Sequence, residues 1–160
     1  QWTISRRDRV IAVVRLQQQR NPVNHFLAIV LVEPMEPEIV EKAHRLMWPY
    51  FDANMETEDA KCDGFRIGGR FDGEIWGKEQ HYNLTPAEFQ IRYGMDVVKD
   101  EDNIRNVSEL WSGLLPYAVV TPDGRWLDRH GKQESQWKLE WEALLAQFKD
   151  HVAVAIDCHC

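Results

Sequence analysis

The chain has 160 residues and a formal charge of −7, with the composition of an ordinary globular domain. No apolar run approaches the roughly 18–20 residues of a membrane span, and the first residues lack the pattern of a signal peptide. Three cysteines, two of them at positions 158 and 160, do not make a disulfide framework, so the expectation is a cytoplasmic protein with reduced thiols.

The charge is unevenly spread. Residues 1–24 carry five arginines against one aspartate, a net +4, which leaves −11 on the remaining 136 residues. An acidic body repels phosphate backbones, so nucleic-acid binding by the body is disfavoured and a basic protein partner is the better match. Within the basic segment, Ser5 with Asp8 opens a helix that Asn21-Pro22 closes. This helix reads as an appendage to a single α+β domain spanning 25–160. A helix of that length is marginal alone in water, so it packs on its own domain or on a second copy, which makes a homodimer one expectation. The plain alternative is a solvated basic helix; the weaker functional one is a nucleic-acid accessory arm.

"HFLAIVLV", His25 to Val32, is a continuous apolar run rich in branched residues and reads as a strand buried on both faces. Pro37 suits the first turn of a helix whose apolar face is Ile39, Ala43, Leu46, Met47 and Tyr50; Pro49 ends or bends it near Trp48. Residues 52–63 are polar and read as a loop. "FRIGGRFDGEIW" then reads as two short strands joined by glycine turns. "LTPAEFQIRYG" has Thr85 as N-cap, Pro86 in the first position and Gly94 as stop, a short helix. Residues 95–106 read as loop, and "VSELWSGLL" as one or two helical turns. "YAVVTPDGRWLD" is the plainest hairpin, with strands at 117–121 and 125–128. Ser135 is placed to cap a last helix with Trp137, Trp141, Leu144, Leu145 and Phe148 on one face. "HVAVAIDCHC" follows as a second apolar strand.

Without the first helix and the excursion from about 52 to 115, the order is strand, helix, hairpin, helix, strand. The expected fold is therefore α+β: a mainly antiparallel sheet, helices on one face, and a ferredoxin-like β-α-β-β-α-β core with a middle insertion.

Two clusters carry possible chemistry. The glycine stretch matches neither the Walker nor the dinucleotide spacing, and no cofactor is implied. Arg66 and Arg70 beside glycines can hold a carboxylate or phosphate bidentately; the plainer alternative is that the glycines serve turns and the arginines pair with Asp63, Asp72 or Glu74. In the tail, Asp157 and His159 point one way on an extended strand and Cys158 and Cys160 the other. That is half a zinc site, which Cys62 with Asp63, or His25, would have to complete. Zinc motifs show paired ligands in two places and only one exists here, so no metal is expected, and Cys158 reads as a small apolar group. The other histidines are scattered. Of Trp126, near the hairpin turn, and Trp76, one is a candidate for contact with a partner, but core packing is the favoured reading.

Three landmarks carry a resemblance. "IGGRFDG", "VVTPDGRW" and "VAIDCH", together with the opening "FLAIVLVEP", resemble small uncharacterised proteins of bacteriophages and other mobile elements. These share a Gly-Gly-Arg-aromatic-x-Gly segment, a Thr-Pro-Asp-Gly-x-Trp hairpin and a final Asp-Cys-His strand. The likeness spans roughly residues 25–160. It departs at Phe71, where the family tends to have Trp, at Cys160, which extends past the usual end, and at the first helix. It implies a setting rather than a reaction, and singles out Arg70, Asp72, Asp123, Asp157 and His159 as polar landmark residues. The leading expectation is a binding or interaction protein with candidate ligand residues Arg66, Arg70, Asp72, Asp123, Trp126, Asp157 and His159. The alternative is a small hydrolase, with or without a metal, using Asp157, His159 and Arg70.

Overall fold

A strand that is apolar on both sides must be covered on both sides, and this requirement organises the molecule. A computed structural model describes residues 25–77 and 100–160. Among them the chain runs β1 (His25–Val32), α1 (Ile39–Met47), β2 (Gly64–Ile67), β3 (Ile104–Asn106), β4 (Ala118–Val120), β5 (Trp126–Asp128), α2 (Glu134–Gln147) and β6 (Val152–His159). The expected helices at residues 5–20 and 85–94 lie outside the described residues. No described helix is long and apolar enough to cross a membrane.

The six strands form one mostly antiparallel sheet in the order β2-β6-β1-β4-β5, with β3 also on β6. β1 and β6 pair along their whole length, from His25↔His159 to Val32↔Val152, as expected from their apolar runs. β1 and β4 are parallel, and the hairpin β4–β5 is antiparallel where the Pro-Asp-Gly turn predicts it. β2 and β3 line the same edge of β6 end to end, β3 on Val152–Val154 and β2 on Ile156–His159. The excursion after α1 thus covers what would otherwise be an open edge of β6, an apolar strand of eight residues.

Two expectations about this architecture are corrected. The helices lie on opposite faces, not one. Phe26, Ala28, Val30 and Val32 face α1 through Ala43 and Met47, while Leu27, Ile29 and Leu31 face α2 through Trp137, Trp141 and Leu144. Each large apolar side chain so buried contributes about 1.5–3 kcal/mol, so a bare second face on β1 would be costly. The strand order also differs from a ferredoxin-like core, whose split βαβ unit sets another strand between the two parallel ones. Here β1 and β4 are direct neighbours and β5 takes the edge.

Smaller differences follow from local chemistry. "FRIGGRFDGEIW" makes one strand, β2, and then 3-10 turns at Gly69–Phe71 and Glu74–Trp76, because positive φ at Gly68, Gly69 and Gly73 curls the chain before a second strand can form. Residues 100–103 are a 3-10 turn and 104–106 a strand, where a loop was expected. α2 starts one residue before Ser135, without a side-chain cap. It is held instead by its tryptophans: Trp137 Nε1 donates to Pro116 O at 2.6 Å and Trp141 Nε1 to Leu114 O at 2.9 Å.

Candidate functional site

Alternation along β6 sends Asp157 and His159 to the α2 face of the sheet and Cys158 to the α1 face. The register then supplies their neighbours. Asp157 stands between Leu27 of β1 and Arg66 of β2, and His159 between His25 and Gly64. The result is a polar corner where the start of β1, the start of β2 and the end of β6 meet.

Asp157 is only 3% exposed, yet both its oxygens are bonded. Oδ1 accepts from His25 Nδ1 at 2.8 Å, and Oδ2 accepts from the Arg70 backbone N–H at 2.9 Å. A buried carboxylate needs such partners. The second bond depends on Gly69, whose φ is +52°. A Cβ there would stand 2.6 Å from Asp157 Cβ and 2.9 Å from Arg66 Nε, and would overlap the carboxylate. The glycine is therefore what lets the turn close over Asp157.

His159 forms a second pair. Its Nδ1 donates to Asp63 Oδ1 at 2.6 Å, and the Asp63 N–H donates back to His159 O at 2.8 Å. The two imidazoles meet edge to face, with ring centroids 4.8 Å apart and planes at 72°. Each ring is thus fixed through Nδ1 by a carboxylate. Among the described residues neither Nε2 makes a hydrogen bond. His25 is 21% exposed and His159 49%.

Two cations complete the corner. Arg66 and Arg70 leave opposite sides of Gly68-Gly69, and both are exposed. Among the described residues neither guanidinium makes an ion pair. Two of their three expected local partners, Asp63 and Asp72, are engaged elsewhere. Asp63 holds His159, and Asp72 accepts from Asn103 Nδ2 at 2.7 Å. The Asn103 amide oxygen in turn accepts from the Gly73 N–H at 3.0 Å, so Asp72 serves the turn that follows.

Asp123 and Trp126, also expected at the site, lie elsewhere. β4 runs parallel to β1, so the hairpin turn sits at the end of the sheet opposite His25. There Asp123 accepts from the Thr121 hydroxyl and lies 3.4 Å from Arg125 Nε. The Thr121 hydroxyl bond is the main cause holding its carboxyl below the ordinary range. Trp126 packs on Phe26 and Tyr50 and donates from Nε1 to Asp128 Oδ2 at 2.8 Å. Core packing, the favoured reading for this tryptophan, is what is observed.

Behind the corner, Cys158 is fully buried. Burial first, and the adjoining Cys62 thiol second, push its thiol well above the usual range, so it is held as the neutral group and is no nucleophile. The fold does bring His25 and Asp63 to the tail, the condition set for a zinc site. It uses them in hydrogen-bonded pairs, and among the described residues no group of three or more His, Cys, Asp or Glu is arranged to hold a metal. His25 and Asp63 enter the sequence reading only as completing ligands of a zinc site or, for Asp63, as an arginine partner; their pairing with Asp157 and His159 has no motif. His25 has one signal, its place at the head of β1, opposite the tail if the two strands end flush. Asp63 has none.

No family model, curated protein or solved structure matches the chain.

Proposed function

We propose that this chain is a binding protein for a small phosphate-bearing ligand, held at the tail corner by Arg66 and Arg70. The observation that carries the reading is the pair of exposed guanidiniums, without ion pairs among the described residues, on either side of a rigid glycine turn. Guanidinium groups match phosphate oxygens in geometry as well as charge. The buried Asp157 does not oppose this, because both its oxygens already face His25 and the Arg70 N–H. A small ligand fits better than a polyanion, since the −11 carried by residues 25–160 repels a nucleic-acid backbone. The resemblance to proteins of phages and mobile elements supports that genetic setting for the activity.

Calorimetric titration of the full chain tests the reading, with inorganic phosphate and phenyl phosphate in buffers of matched ionic strength. Saturable binding is expected, at least tenfold weaker in R66A/R70A, while the variant melts within a few degrees of the wild type. Absence of phosphate binding up to millimolar concentrations, or a double variant that binds as the parent does, would sink it.

A further inference from the structure

We infer that the corner is a catalytic centre for hydrolysis of phosphate monoesters, in which His25 activates water and His159 protonates the leaving group. The inference rests on the phosphate-binding reading and adds turnover to it.

The argument starts from the carboxylates. A ring whose Nδ1–H donates to a carboxylate has its tautomer fixed, with Nε2 left as the atom that takes or gives a proton. The carboxylate also stabilises the imidazolium that forms when it does. One such pair is common as a structural device. Here there are two, His25–Asp157 and His159–Asp63, with rings 4.8 Å apart and both Nε2 atoms free of hydrogen bonds among the described residues. Hydrolysis of an ester needs one group of each kind, a base for water and an acid for the departing oxygen.

Exposure divides the roles. His25 is the less exposed ring, at 21%, and His159 the more exposed, at 49%, so the small co-reactant, water, is given to His25 and the leaving alcohol to His159. In the step, water attacks phosphorus as His25 Nε2 takes its proton. The bond from phosphorus to the ester oxygen breaks, and protonated His159 gives its Nε2 proton to that oxygen. The products are the alcohol and inorganic phosphate, with water as the only co-reactant. Solvent exchange then returns one proton to His159 and removes one from His25. Arg66 and Arg70 hold the phosphoryl oxygens, and Asp157 and Asp63 are positioning residues.

Released phosphate is measured for the full chain with p-nitrophenyl phosphate and with phenyl phosphate. The first has a leaving group that departs with little help; the second needs an acid. H25A should lower turnover of both substrates by about 10²-fold or more, as loss of a general base does. H159A should lower turnover of phenyl phosphate by a similar factor and of p-nitrophenyl phosphate by less than tenfold. D63N, at a partly exposed site, should lower turnover of phenyl phosphate several-fold and of p-nitrophenyl phosphate by less than twofold, a difference between substrates that a loss of folded protein would not produce. Phosphate binding without turnover by the wild type would overturn the catalytic inference and leave the binding reading standing. Turnover that survives in H25A and H159A would place the activity elsewhere. A chain that neither binds nor turns over would overturn both.

Discussion

The tail corner and the hairpin turn are built from the same residue types and differ in how their parts are joined. Each has an aspartate, an arginine and a positive-φ glycine. In the hairpin, Thr121, Asp123 and Arg125 bond one another across two to four positions, and Asp123 is 68% exposed. In the corner, His25 and Asp157 are 132 positions apart, His159 and Asp63 are 96, and Arg70 and Asp157 are 87. A turn that satisfies its own polar groups leaves nothing over for a ligand. A corner assembled from three strands buries its aspartate, fixes its histidines and leaves its arginines outside. Local completeness in sequence is thus a sign of architecture.

Four changes test that contrast, from the largest effect to the smallest. Removing residues 152–160 takes away the strand that pairs with β1, β2 and β3. The expected product has no cooperative thermal transition, and a truncated chain that melts cooperatively would contradict the role given to β6. Next, Gly69→Val and Gly124→Val impose the same side chain at two positive-φ glycines. At Gly69 the added Cβ collides with Asp157, whereas at Gly124 the nearest atom is Leu46 Cδ2 at 4.0 Å. Gly69→Val should cost about 3–5 kcal/mol and Gly124→Val about 1–2 kcal/mol, the strain alone. Equal losses in urea unfolding would erase the difference between the two regions. Third, Asp157→Asn should cost about 2–3 kcal/mol, because it weakens a buried charge-assisted bond, while Asp123→Asn should leave the urea midpoint near that of the parent. The smallest effect is in acid. The Asp123 carboxyl is held below its ordinary value, so its contribution is present above about pH 4 and lost as pH falls through the lowered value. Asp123→Asn should slightly flatten the acid limb of the stability profile, and an unchanged limb would show that the Thr121 bond is of no consequence.

The same contrast explains what could be read without a structure. β1, α1, the hairpin, α2 and β6 announce themselves by periodicity and turn chemistry, which are local. The cover on both faces of β1 is also legible, since Phe26 to Val32 has no polar side, and that run is at odds with an expectation of both helices on one face. β3 was not legible, because Ile104-Arg105-Asn106 is too short and polar to show alternation and is a strand only by virtue of β6 beside it. In the corner, Asp157, His159, Arg66 and Arg70 could be named from their motifs. That Asp63 belongs with His159 depends on β2 docking at the far edge of β6, and no spacing encodes that.

The span between β1 and β6 also governs how fast the molecule can be made. Every pair between these strands closes a loop of roughly 120 residues or more, and the closure entropy is spent before any contact rewards it. Refolding is therefore expected on the millisecond-to-second scale typical of topologies rich in distant pairings. Until β6 arrives, β1 presents an unpaired apolar edge to solvent, competent to zip onto any other strand it meets. The yield of native protein should accordingly fall as chain concentration rises during refolding, even under conditions where the finished fold is stable.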